Sequence, residues 1–266
     1  MGPRVRKGLP RPALHVATAG DGVPVVLLHG LTATHRYVVM GSRALERGSH
    51  RVVAYDARGH GASAPGDVYD YPALAADLLG VLDDHGLQRV VLAGASMGAH
   101  TALRVALDHP DRVAGLVVIT PAEHPDHPPD LDRWDRLAAG LRTGGVEGFV
   151  AAYGPVEGPW ATSIATVLRQ RLALHEHPEA VADALQQVPR STAFALDDLR
   201  SIRAPTVIVA DRDEPDPGHP LAVGEAYAAL IPDAELVVEE PGKSPIAWQG
   251  GQLSRTIAEL AARATR

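Results

Sequence analysis

A serine with glycine two positions to either side, Gly94-Ala95-Ser96-Met97-Gly98, lies between the β-rich run Arg89-Val90-Val91-Leu92-Ala93 and a helix-forming run over 99–107. A serine hydroxyl becomes a useful nucleophile when a base can take its proton and N–H groups can stabilise the oxyanion it generates. A tight strand-to-helix turn exposes the hydroxyl and leaves no room for bulky side chains two residues before and after it. Gly94 and Gly98 meet that demand. The turn also delivers Ser96 to a helix N-terminus, whose N–H groups and dipole favour a developing anion. The stretch reads as a nucleophile elbow.

Such a turn needs a rigid sheet behind it. Strand-like apolar runs at Val23–Leu28, 51–55, 89–93, 113–120, Thr206–Ala210 and 234–238 alternate with helical spacing at 36–47, Tyr71–Asp84, Met97–Asp108, Leu221–Leu230 and 252–264. This alternation is the pattern of a mainly parallel sheet covered by helices on both faces. A further run at 14–18 suits an edge strand. After Thr120 the pattern breaks at a proline-rich exit, Pro121-Ala122-Glu123-His124-Pro125-Asp126-His127-Pro128-Pro129, and the following eighty or so residues read as short helices without a strand. Trp134, Phe149, Tyr153, Trp160 and Phe194 fall in this stretch. Their concentration suggests an apolar pocket wall, with packing of each ring onto the main domain as the alternative.

The elbow, the run Val23–Leu28 ending in His29-Gly30-Leu31-Thr32, and the loop Asp56-Ala57-Arg58-Gly59-His60-Gly61-Ala62-Ser63 together resemble the α/β-hydrolase family. The resemblance extends from about Val23 to the C-terminus and weakens between Pro121 and Arg203. It implies a catalytic core over 1–120 and 204–266 with an inserted helical cap over 121–203. It also implies that the amides of Leu31 and Met97 form the oxyanion hole. The family's acid follows the strand Thr206–Ala210, where Asp213 aligns best and Asp211, Asp216 and Glu123 are fallbacks.

The family's base is a histidine after the last strand. Here that loop reads Glu240-Pro241-Gly242-Lys243-Ser244-Pro245, with Lys243 in the histidine position, and no histidine follows His219. A lysine serves as a base at neutral pH when burial away from anions lowers its pKa, and a neighbouring Asp213 would raise it instead. Lys243 is therefore expected to pair with Asp213 and stay protonated. His219 and His35, in loops on the same side of the sheet as Ser96, are the alternative bases. His100 is expected to pack in the helix after the serine, and His29 and His60 to brace family motifs.

Composition narrows the rest. The 266 residues can bury one substantial core, and the chain has no cysteine, which excludes disulfides and thiol catalysis. A net charge of −7 and a pI near 6.0 argue against nucleic acid as the main partner. No apolar run approaches the ~20 residues of a membrane span, and the basic N-terminus lacks a signal-type apolar stretch. A cytoplasmic protein with a small-molecule substrate is expected. No Gly-x-Gly-x-x-Gly run opens a helix at the first strand, so no nucleotide cofactor is expected. The pairs His124/His127 and His175/His177 have too few partners for zinc and read as surface histidines. The expected function is a serine-hydrolase-like enzyme with altered base chemistry, acting on a small or medium apolar ester, thioester or lactone. The alternative is a lyase, isomerase, cyclase or ligand-binding protein on the same fold.

Overall fold

Adjacent residues of a strand point to opposite faces of its sheet, so a strand apolar at every position needs cover on both sides. The computed structural model, which describes residues 11–212 and 218–264, supplies that cover. Its strands are β1 (Val16–Ala19), β2 (Val23–Leu28), β3 (His50–Tyr55), β4 (Val90–Ala95), β5 (Val113–Ile119), β6 (Thr206–Ala210) and β7 (Glu235–Val238). They form one seven-stranded sheet in the order β1-β3-β2-β4-β5-β6-β7, antiparallel only between β1 and β3. Five of the predicted runs and the edge strand coincide with these strands to within about two residues, and 89–93 continues to Ala95 because Ala95 still pairs with Ile119.

The helices are α1 (Ala44–Arg47), α2 (Tyr71–Asp84), α3 (Met97–Asp108), α4 (Leu131–Tyr153), α5 (Ala161–Leu172), α6 (Pro178–Gln187), α7 (Leu221–Leu230) and α8 (Gly250–Ala264). Val26 and Leu28 of β2 face a core shared with Leu78 of α2, Leu103 of α3 and Tyr227 of α7. Val25 and Leu27, the alternate residues, face a second core with Leu45 of α1 and Leu253, Ile257 and Leu260 of α8. The helix expected over 36–47 is a correction: a 3₁₀ turn at His35–Tyr37 and the short α1 replace it. Met40 and Gly41 both take positive φ, 47° and 74°, and no helix continues through that.

Between β5 and β6 the described chain has helices and turns but no strand of the sheet. α4, α5 and α6 enclose a third core built on Leu137, Leu141, Phe149, Leu168, Leu172, Val181 and Leu185. Because β2 to β7 are parallel, the loops that follow them emerge on one side, and the residues singled out for chemistry lie in those loops.

Candidate active site

Ser96 occupies the turn between β4 and α3 with φ 50° and ψ −113°. A non-glycine residue in this region carries strain on the order of 1–3 kcal/mol. A bond from the Ser96 amide to the Ile119 carbonyl, at 2.9 Å, holds it there. The two glycines are required by contact. A Cβ on Gly94 would come within 2.3 Å of the Gly98 carbonyl oxygen, and one on Gly98 within 2.3 Å of the Leu28 carbonyl oxygen.

His219 Nε2 lies 2.9 Å from Ser96 Oγ. No other side chain among the described residues is hydrogen-bonded to that hydroxyl. His219 comes from the loop between β6 and α7, and is partly exposed. Lys243 is exposed, with its amide bonded to the Glu240 carbonyl at 3.1 Å. Asp213 and Asp216 lie outside the described residues, and so does the expected pairing of Lys243 with Asp213. Asp211 is fully buried and accepts from the Ala247 amide at 3.2 Å, tying the end of β6 to the loop after β7.

Met97 opens α3, so its N–H is among the amides a helix leaves without an intrahelical acceptor. Leu31 is the second residue of a turn closed by the Ala33 amide on the Gly30 carbonyl at 3.0 Å. The third residue, Thr32, has φ 69°, a costly conformation for a β-branched side chain. In such a turn the N–H of the second residue points away from the closing bond. Gly30 keeps the turn against the elbow, since a Cβ there would meet Ser96 Cβ at 3.4 Å.

The other histidines divide clearly. His35 donates twice to Asp56 Oδ1, from its backbone N and from Nδ1, each at 2.8 Å, so its ring is directed to Asp56. Burial disfavours the Asp56 carboxylate, but these bonds outweigh it and hold its pKa below the ordinary value. His15, His35 and Asp56 have donor atoms within 4.8 Å of one another, and Asp56 Oδ1 already carries His35's two bonds. His29 accepts from the Ala57 amide at Nε2 and bonds the Gly30 carbonyl through Nδ1, both at 2.8 Å. Burial lowers its pKa to about 4. His100 is buried, accepts from the amides of Ala122 and Glu123 and meets the Tyr71 hydroxyl at 2.9 Å. Burial, helped by His219, lowers its pKa to about 3. Arg58 is locked on Asp77 at 2.7 and 2.8 Å beneath the same loops.

His175 departs from the surface reading. Its ring is wedged between Gly61 and Thr32, contacts 114 and 143 residues away in the chain that no local pattern reveals. The aromatic residues expected to line a pocket also separate. Phe149 is 1% exposed and belongs to the core of the helical segment, and Phe194 packs with His100 and Tyr227. Trp134 and Tyr153 are partly exposed and share the Arg133 guanidinium, 5.9 and 5.0 Å from their ring centres. Trp160 stands edge-on to Trp248 at 5.9 Å, joining the start of α5 to the segment after β7.

The model of the alpha/beta hydrolase fold matches residues 23–192, more than half of the chain. The chain belongs to that family. Over 251 residues this α/β-hydrolase is 32% identical to the 2-hydroxy-6-oxononadienedioate/2-hydroxy-6-oxononatrienedioate hydrolase 2 of Pseudomonas putida, covering 88% of this chain and 86% of that protein. It is 30% identical over 230 residues to a provisionally named carbamate hydrolase of Caulobacter sp. (strain K31), covering 84% of each. Among solved structures, a thermophilic esterase from Thermogutta terrifontis superposes with a TM-score of 0.80 at 28% identity, over 95% of this chain and 94% of that one. No helix among the described residues is long and apolar enough to cross a membrane.

Proposed function

We propose that this α/β-hydrolase cleaves a small or medium apolar carboxylic ester, thioester or lactone through Ser96, with His219 as the general base. The observation that carries the reading is the 2.9 Å approach of His219 Nε2 to Ser96 Oγ. Ser96 Oγ attacks the carbonyl carbon as its proton passes to Nε2, and the negative oxygen is received by the amides of Leu31 and Met97. The imidazolium then gives its proton to the departing alcohol, thiol or lactone oxygen, leaving an acyl-serine. Water, deprotonated by the same imidazole, releases the acid. An acceptor at Nδ1 completes the unit by holding the ring in the tautomer that leaves Nε2 unprotonated. Asp213, six residues before His219 in the same loop, is the carboxylate we assign to that task.

In this reading residues 121–203 form the cap, and its partly exposed rings, Trp134, Tyr153 and Trp160, are assigned to the substrate side. Hydrolysis as the reaction class is supported by the relatives that share most of their length with this chain, which are named as an esterase, a carbamate hydrolase and a 2-hydroxy-6-oxononadienedioate/2-hydroxy-6-oxononatrienedioate hydrolase.

The test combines short-chain aryl esters with labelling by a fluorophosphonate probe. Labelling at neutral pH should reach one equivalent on Ser96, vanish in Ser96→Ala and slow sharply in His219→Ala. Ester turnover equal in wild type and Ser96→Ala would remove the serine from the mechanism. A wild type that neither turns over esters nor labels would favour the non-hydrolytic chemistry instead.

A further inference from the structure

The turn that presents Leu31 is held from two sides. Below it, His29 bonds the Gly30 carbonyl through Nδ1 at 2.8 Å. From the helical segment, His175, between α5 and α6, reaches it with both ring nitrogens in use. Nδ1 accepts from the Gly61 amide at 2.8 Å, and Nε2 donates to the Thr32 carbonyl at 3.0 Å. An acceptor at Nδ1 and a donor at Nε2 define a neutral ring in a single tautomer. The next residue adds a backbone bond, Glu176 N to the Gly61 carbonyl at 2.9 Å. Leu31 itself packs against both the sheet core and the core of the helical segment.

Thr32 makes this contact consequential. It is β-branched at φ 69°, it is 2% exposed, and its hydroxyl has no hydrogen-bond partner among the described residues. A residue in that state relaxes unless its surroundings over-determine it. Without His175 the Thr32 carbonyl and the Gly61 amide both lose their partners, leaving the Ala33–Gly30 bond and His29 to keep the turn.

We propose that His175 is a positioning residue through which the helical segment between β5 and β6 sets the oxyanion-hole turn. Docking of that segment and competence of the hole are then one event. The inference rests on the assignment of Leu31 as an oxyanion donor. The titratable groups around the ring are His60, edge-on at 5.5 Å, and His29, together with Asp56, Arg171 and the adjoining Glu176. Burial pushes the His175 pKa down, with Arg171 assisting and the Thr32 carbonyl and Asp56 opposing. Burial thus favours the neutral ring that the two bonds require. Once protonated, it would set a second N–H against the Gly61 amide, donor against donor.

Wild type, His175→Ala and His175→Gln are compared by backbone hydrogen exchange and by steady-state hydrolysis of p-nitrophenyl butyrate. Glutamine supplies one acceptor and one donor and does not titrate. In His175→Ala the amides of Ala33 and Gly61 should exchange at least about tenfold faster, and kcat should fall about 10- to 100-fold with KM within about twofold, short of the loss of a whole oxyanion donor. His175→Gln should recover most of both. Unchanged exchange at Ala33 in a folded His175→Ala, or a raised KM with kcat intact, would overturn the proposal. If the alanine variant does not fold, ¹⁵N NMR of the wild-type ring decides, because a ring protonated at Nδ1 at pH 7 contradicts the bonds the proposal needs. A wild type inactive on esters defeats the hydrolase reading alone, and the exchange result still judges the hold on the turn.

Discussion

Lys243 stands where the family resemblance implies the base, while the imidazole on Ser96 comes from the loop after β6. The sheet explains how both loops can serve. β6 and β7 are parallel neighbours, with strands spaced about 4.8 Å apart, so the loops leaving them open beside each other. A ring delivered from either one can approach the same hydroxyl. With Lys243 exposed and its loop tied down by backbone bonds, Lys243→Ala should leave kcat within about threefold of wild type, whereas His219→Ala should cost on the order of 10³-fold. A pH–rate profile separates the candidates independently. Activity rising near neutrality follows an imidazole, and activity rising only above roughly pH 9 and lost in Lys243→Ala would give the role to the lysine.

The turns around the serine depend on close backbone approach, and here sequence and structure agree for a steric reason. Gly98 lies against the Leu28 carbonyl, which is main chain of β2 and cannot swing aside as a side chain would. Gly98→Ala should therefore part the elbow from β2, lowering stability by ~1–3 kcal/mol and removing activity. A urea midpoint that drops at constant m-value would record the first effect, and a midpoint equal to wild type would refute it. Demands of this kind are local, and so they were legible: the elbow, β2, β6, α2 and α3 follow from residue type and period alone. The bonds that finish the site are not local. His219 meets Ser96 across 123 residues and His175 meets Thr32 across 143, so the sequence could nominate the first only as one of two alternative bases and gave no sign of the second. The helix expected over 36–47 failed for a related reason, since that segment curls to place His35 on Asp56 and Val38 and Val39 in a core.

At the scale of the whole molecule, burying ionisable groups ties stability to pH. His29, His60, His100 and His175 all have pKa values lowered chiefly by burial, to about 4 for His29 and about 3 for His100. The unfolded chain takes up protons near pH 6.5 while these folded rings refuse them. Their contribution is thus complete above that pH and is lost as pH falls through the folded values. Glu123 works in the opposite direction. Its carboxyl, half-buried beside the Ala193 amide at 3.2 Å, has a pKa raised by burial to about 7 against that bond's pull. The folded state then holds a proton that the unfolded state releases near pH 4.5, so this contribution is present below pH 4.5 and lost as pH rises through 7. Thermal stability should climb from pH 4 to 6.5, with Glu123 blunting the climb, and then level off. Glu123→Gln keeps an acceptor for Ala193 and removes the titration. Its advantage over wild type should be near zero at pH 4.5 and reach ~1–3 kcal/mol by pH 8, a few degrees in Tm for a chain of this size. Melting curves of the two proteins across this range test the assignment, and an advantage of equal size at both ends would show that Glu123 does not titrate between them.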